Sequence, residues 1–282
     1  MNLWKTAAIL CAALMCVAGF AVAQVSFNPA DINKGLNVLK SGAKVADSMR
    51  PINEKEERAL GHAVAVEVFA RYGKRVDSEP LNKYITLVGK TVAAKCDRPG
   101  MTYRFSMIDN QQANAFAAPG GYIFITTGLM SKLATESQLA GVLAHEVAHS
   151  ARKHMLETIQ RSKQLAGLTA AAATAFDKDP KALSQVVNLT TDTLFTKGLD
   201  KKYEFDADKY GVAYAAAAGY DPKGLPEFLE RLRKEEGKGG SIFFSTHPPV
   251  GERIARLQND ELPKLPKSGQ ALAERFVASV KR

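Results

Sequence analysis

The stretch GVLAHEVAHSARKHM, residues 141–155, holds three of the five histidines in this 282-residue chain. It contains no proline, and Val142, Leu143 and Val147 supply apolar positions suited to a buried helix. His145 and His149 stand four residues apart, so a helix places both on one face about one turn apart. Two imidazoles so placed can grip one tetrahedral Zn²⁺, and Glu146 sits beside them, free to act as a base. Such a centre needs a third protein ligand, and the search for it organises the rest of the chain.

His154 is the nearest candidate and fails on spacing. A motif that takes its third histidine from the same stretch wants Gly at position 152 and His at 155, where this chain has Arg152 and Met155. On a continuous helix His154 points roughly 140° away from His149, which predicts a surface or capping role and no effect on metal occupancy. His62 lies in a separate amphipathic segment without neighbouring acids and reads as structural. A carboxylate from a later helix is the remaining option. In DKKYEFDADKYG, residues 200–211, Glu204 and Asp208 share a helical face among Tyr203, Phe205 and Ala207. Two buried acids on one face need a cation or a strong donor. A solvated acidic turn is the alternative. With Glu204 as ligand, Asp208 can accept the free N–H of a ligating imidazole and fix its tautomer.

Around this core the pattern predicts one α+β domain, mainly helical, with a small sheet beside the histidine-bearing helix. Helices are expected over residues 54–72, 80–94, 136–153, 200–218 and 222–236, with a short one from Gly251 and an amphipathic one over 269–280. Residues 155–200 read as helical with a break near 177–180, and GKGG at 237–240 as a hinge before a loop over 241–249. MTYRFSM, 101–107, and YIFIT, 122–126, are the expected strands, with the Pro-Gly-Gly of 119–121 as a turn. The domain is assigned to residues 51–262, preceded by a helical lead-in over 24–50 and followed by a helical tail over 263–282.

Residues 1–23 have the layout of a cleaved secretory signal peptide: Lys5, an apolar run, then Ala21-Val22-Ala23 before Gln24. A retained anchor is the competing reading, but the apolar run is short of the ~20 residues a span needs. Two of the three cysteines fall inside this segment, so Cys96 would be left without an internal partner and stability must come from a core. The formal charge of +9 is spread among acids, with no basic patch interleaved with aromatics, which argues against nucleic acid. Peripheral attraction to anionic membranes is compatible with that charge.

Four motifs in order, NAFAAPGGYIFITTGL (114–129), AGVLAHEVAH (140–149), EFDAD (204–208) and STHPPVGERI (245–254), resemble the gluzincin-type zinc metallopeptidases that include the CaaX prenyl proteases and HtpX. Within them the chain is similar to the exported, soluble, BepA- and LoiP-like bacterial branch, over residues 52–258. The resemblance implies a zincin-type fold, Glu204 as third ligand beside His145 and His149, and one zinc per chain. It implies a periplasmic endopeptidase acting on unfolded or misassembled envelope proteins, with Glu146 as general base. His247 matches the family's His-Pro motif and is the candidate transition-state donor, with loop packing or a resting-state ligand role as alternatives. Arg253 is expected to anchor that loop to a carboxylate. The family often has Ser-Arg where this chain has Asp200 and Lys201, and the tetratricopeptide extension of some members is missing from this sequence.

Zinc peptidases commonly bind substrate as an added edge strand, which makes Gly120, Gly121, Tyr122, Ile123 and Phe124 candidate substrate-binding residues. The alternative is a plain core strand, since Tyr-Ile-Phe-Ile is apolar on both faces. At the level of function the competing reading is a non-catalytic, metal-stabilised binding or assembly factor. The presence of Glu146 favours the peptidase, because a purely structural zinc site has no use for a base.

Overall fold

The structure is a computed structural model that describes residues 51–165, 180–234, 247 and 249–280. The chain divides into two compact units, Met1–Ala43 and Lys44–Arg282, and all described residues belong to the second. The expected signal peptide, the lead-in, the break near 177–180, the 237–240 hinge and most of the 241–249 loop lie outside the described residues.

Helix α1, Glu54–Tyr72, starts at a capping box in which Asn53 accepts from the Glu56 amide at 3.0 Å and Glu56 accepts from the Asn53 amide at 2.9 Å. Helix α2 spans Glu79–Ala93 with Pro80 in its first turn, where a missing N–H costs nothing. Three strands follow: β1 (Arg104–Ile108), β2 (Ala115–Ala118) and β3 (Tyr122–Thr126). Their order is β1-β3-β2. Strand β3 runs parallel to β1, with Arg104 opposite Tyr122, and antiparallel to β2, with Ala115 opposite Ile125.

This order corrects the edge-strand expectation for residues 120–124. Tyr122, Ile123 and Phe124 lie in the central strand, paired on both sides, so no peptide can add there. Gly120 and Gly121 form the β2–β3 turn at φ 71° and 78°, a backbone region that favours glycine. The turn is buried against α1: the Gly120 N–H donates to buried Glu57 at 3.2 Å, and Arg98 forks onto the same carboxylate at 3.2 and 3.0 Å. Among the described residues, the unpaired sheet edge beside the histidines belongs to β2, a strand that is not among those expected from sequence.

Alternation across the sheet divides the core into two layers. Phe105, Met107, Ala115, Ala117, Ile123 and Ile125 pack with α2 and the helices that follow the sheet. Ile108, Phe116, Ala118 and Phe124 face Leu60, Val64 and Val68 of α1. A sheet covered on both faces explains why YIFIT is apolar throughout.

Helix α3, Glu136–Ala151, is buried at every residue and forms the centre of the first layer. Thr135 caps it by accepting from the Gln138 amide at 3.2 Å. Helices α4 (His154–Leu165), α5 (Pro180–Asp192), α6 (Lys201–Ala217), α7 (Gly224–Arg233), α8 (Val250–Arg256) and α9 (Ala273–Val280) complete the described unit. Helix α6 lies directly on α3 because Gly211 lacks a side chain: a Cβ there would sit 2.9 Å from the backbone of His145. The C-terminal segment is part of the same body over its described length. Phe276 of α9 is buried in the first-layer core, and Arg275 binds Glu136 at the head of α3. No helix among the described residues is long and apolar enough to cross a membrane.

Candidate metal centre

Helix α3 carries His145, Glu146 and His149, and α6 carries Glu204 and Asp208, all buried. The two imidazoles turn their Nε2 atoms toward each other at 3.0 Å. Glu204 closes the triangle, with Oε2 3.6 Å from His145 Nε2 and Oε1 3.5 Å from His149 Nε2. Four-coordinate zinc, with bonds near 2.0–2.1 Å, separates its ligand atoms by about 3.3 Å, and these three distances straddle that value. Oε2 of Glu204 is buried without a hydrogen bond among the described residues, and its nearest polar neighbours are ring nitrogens of His145 and His247.

Charge points the same way. Glu146, Glu204 and Asp208 are buried, among the described residues, with one guanidinium, Arg253. With the acids ionised and the imidazoles neutral, as metal ligation requires, two negative charges are left over, and buried charge needs compensation. The residues therefore fit a divalent cation in number, donor type and charge, and a His₂Glu donor set suits zinc.

Each expected helper has a definite place. Asp208 Oδ1 lies 3.0 Å from His145 Nδ1, the ring nitrogen facing away from the centre. Arg253, midway along α8, forks onto Asp208 at 2.8 and 2.6 Å, which ties the segment after His247 to α6. His247 is partly buried, with Nε2 3.5 Å from Glu204 Oε2, and it groups with His145 and Glu146 as a second possible ligand set. His62 is exposed on α1, outside this cluster.

His154 departs from its expected surface position. The 140° separation holds only on one continuous helix, but α3 ends at Ala151 and Lys153 turns the chain at φ 61°, so α4 starts afresh at His154. His154 is 3 % exposed, with Nδ1 3.0 Å from His149 Nδ1 and Nε2 3.1 Å from Asp206 Oδ2. Asp206 lies off the i, i+4 face of Glu204 and Asp208, so spacing alone does not single it out.

Burial and partners set the protonation of the metal-free cluster. Burial disfavours a charged His145, but hydrogen bonds to Asp208 and Glu204 outweigh it and raise the imidazole to about 9. Burial, then the neighbouring His145, His154 and His247, hold His149 well below its ordinary value. Burial pushes Glu146 up to about 7. Burial would also raise Glu204 and Asp208, yet both stay below the ordinary carboxylate range, Glu204 through His247 and His145, Asp208 through Arg253 and His145.

A cavity of about 30 Å³, lined in part by Ala115, Phe116 and Ala117 of β2, touches Glu146, His149, Glu204 and His247. That is room for water. A larger cavity of about 370 Å³ opens between Glu54, Arg58, Arg98 and Gly120 and touches none of the histidines.

Comparison with known proteins adds an independent finding. The description "Peptidase family M48" matches residues 79–261. Relatives include the mitochondrial metalloendopeptidase OMA1 of Schizosaccharomyces pombe, 28% identical over 206 residues, covering 72% of this chain and 60% of the relative. The beta-barrel assembly-enhancing proteases of Yersinia pestis and Escherichia coli K12 are 28% and 27% identical, over 64% and 71% of this chain. The chain spans 38% and 43% of their lengths.

Proposed function

The chain belongs to peptidase family M48, and from that premise we propose that it is an exported zinc endopeptidase cutting unfolded or misassembled envelope proteins. The observation that carries the reading is the convergence of His145 Nε2, His149 Nε2 and the Glu204 carboxylate, with Glu146 adjacent in sequence and space. Zinc, when bound there, polarises a substrate carbonyl and acidifies water. Glu146 takes a proton from the attacking water at its carboxylate oxygen and returns it to the leaving amine. Burial favours the protonated carboxyl, which helps it hold that proton between the two steps. His247 donates to the oxygen on which negative charge develops. Asp208, held by Arg253, orients His145.

Substrate adds as an extended strand to β2, whose outer edge carries no strand among the described residues and borders the same cavity as the centre. Main-chain hydrogen bonds then supply affinity with little sequence demand, which suits unfolded polypeptides. A 30 Å³ cavity does not admit a peptide, so binding displaces part of the wall that Leu194, Leu199 and His247 form opposite β2. Localisation in the periplasm follows from the signal-peptide layout of residues 1–23. Two relatives named for beta-barrel assembly, matched over 64% and 71% of this chain, support an envelope-protein substrate. Peripheral membrane contact follows from the charge of +9.

Digestion of unfolded casein by the purified protein tests the reading. Cleavage should stop on chelation and return with zinc, and the metal-free forms of His149→Ala and Glu204→Ala should not recover. Cleavage that persists in chelator would overturn it.

A further inference from the structure

We propose that His154 and Asp206 form a relay that fixes the tautomer and ring orientation of His149, making both of them positioning residues of the metal centre. The inference rests on the reading of His145, His149 and Glu204 as that centre. It follows from which atoms can donate. Asp206 Oδ2 lies 3.1 Å from His154 Nε2, and a carboxylate only accepts, so the hydrogen sits on Nε2. Neutral His154 then offers a lone pair at Nδ1. That atom is 3.0 Å from His149 Nδ1, which must therefore carry the hydrogen between them. With Nδ1 protonated, His149 keeps its lone pair on Nε2, the nitrogen 3.0 Å from His145 Nε2 and 3.5 Å from Glu204.

The relay is built into the fold. His154 is 3 % exposed and stacks on Tyr203 of α6, with ring centroids 4.8 Å apart at 28°. Its ring plane meets that of His149 at 81°, with the two Nδ1 atoms within hydrogen-bond distance. Arg152 Nε also donates to Asp206 Oδ2, at 3.0 Å, and Arg152 reaches Asp97 at 3.1 Å, which holds the carboxylate in place. The αL turn at Lys153 delivers the His154 ring to this position.

The two imidazoles of the centre are thus served alike. His145 has Asp208 directly on its outer nitrogen, and His149 has Asp206 through one intervening ring. Both acids sit on α6 within four residues of Glu204, so one helix supplies a ligand and orients both of the others. The segment EFDAD then carries three separate duties, with Asp206 reaching α4 while Glu204 and Asp208 reach α3.

The test is equilibrium zinc affinity of the full chain, measured by competition with a chelating indicator and read beside the unfolding temperature of the chelated form. His154→Phe keeps the ring stack and loses both hydrogen bonds, and should weaken zinc binding about 10–100-fold. His154→Gln can still accept from His149 through its amide oxygen, and should recover part of the loss. Asp206→Leu acts on a side chain that is 30% exposed, which folding tolerates, and should weaken binding in the same range as His154→Phe. Wild-type zinc affinity in His154→Phe or in Asp206→Leu, whatever the unfolding temperature, overturns the relay. Wild-type protein that binds no zinc would remove the metal centre itself, and the relay with it, so the two failures are told apart by the parent protein.

Discussion

Glu146 is acidic chemistry placed where water is scarce, and its behaviour with pH follows from that. Burial raises the metal-free carboxyl to about 7, and a cation beside it lowers it again toward the ordinary value of about 4.3. The ionised form is the competent base, so kcat/KM rises with pH through this pKa and is lost below it. An acid limb with an apparent pKa between those two values is expected in peptide-cleavage profiles of the zinc form, and a rate that climbs on acidification from pH 7 would contradict the assignment. Among single residues, spacing was enough to single out His145, Glu146 and His149, since one helix turn is a strict constraint on where side chains point. His154 was not legible, because the 100° per residue that removed it from the face stops at Lys153, and nothing in the sequence RKH marks an αL residue. Asp206 was hidden for a related reason: it reaches α4, and a face drawn on α6 alone does not show where α4 begins.

At the scale of elements, the contact between α3 and α6 places the ligands, and Gly211 sets its closeness. Gly211→Val adds atoms where even a Cβ would lie 2.9 Å from the His145 backbone, so α6 must move outward, carrying Glu204 and Asp208 with it. A stability loss of about 1–3 kcal/mol in denaturant melts is expected, together with weakened zinc affinity; unchanged zinc affinity would show that this contact does not position the ligands. The N-terminus of α3 is held differently. Glu136 accepts from Tyr84 at 2.9 Å, Tyr220 at 2.8 Å and Arg275 at 2.6 Å. Burial would raise its pKa, but these bonds lower it below the ordinary value. A depressed carboxylate contributes stability above its unfolded pKa of about 4.3 and loses it as pH falls through the folded value. Arg275→Ala should therefore cost roughly 1–2 kcal/mol at pH 7, discounted because the guanidinium is half-exposed. The gap from wild type should narrow on acidification below about pH 4, and melts that show it widening would contradict the sign. Helices with caps and apolar faces are readable from the chain, α1 at both of its ends, Glu54 and Tyr72. Strand β2 was not, because Ala-Phe-Ala-Ala contains no β-branched residue and takes its conformation from pairing with β3.

Over the whole described unit, two helical layers around a three-stranded sheet bring one strand edge, one buried helix and one covering helix to a common point. The α+β class was legible because hydrophobic period and turn residues are local signals. The order β1-β3-β2 was not, since which strand becomes central depends on pairing between distant segments. That order removes β3 as a peptide-docking edge and, on the proposed reading, offers β2 in its place. In that reading Glu146 does the chemistry while His145, His149 and Glu204 hold the cation. That division of roles is tested by comparing Glu146→Gln with wild type, each loaded with zinc, in the rate of unfolded-casein cleavage. Equal zinc content, an unchanged unfolding temperature and a rate lower by about two orders of magnitude or more are predicted. A Glu146→Gln protein that cuts casein at the wild-type rate would contradict the claim.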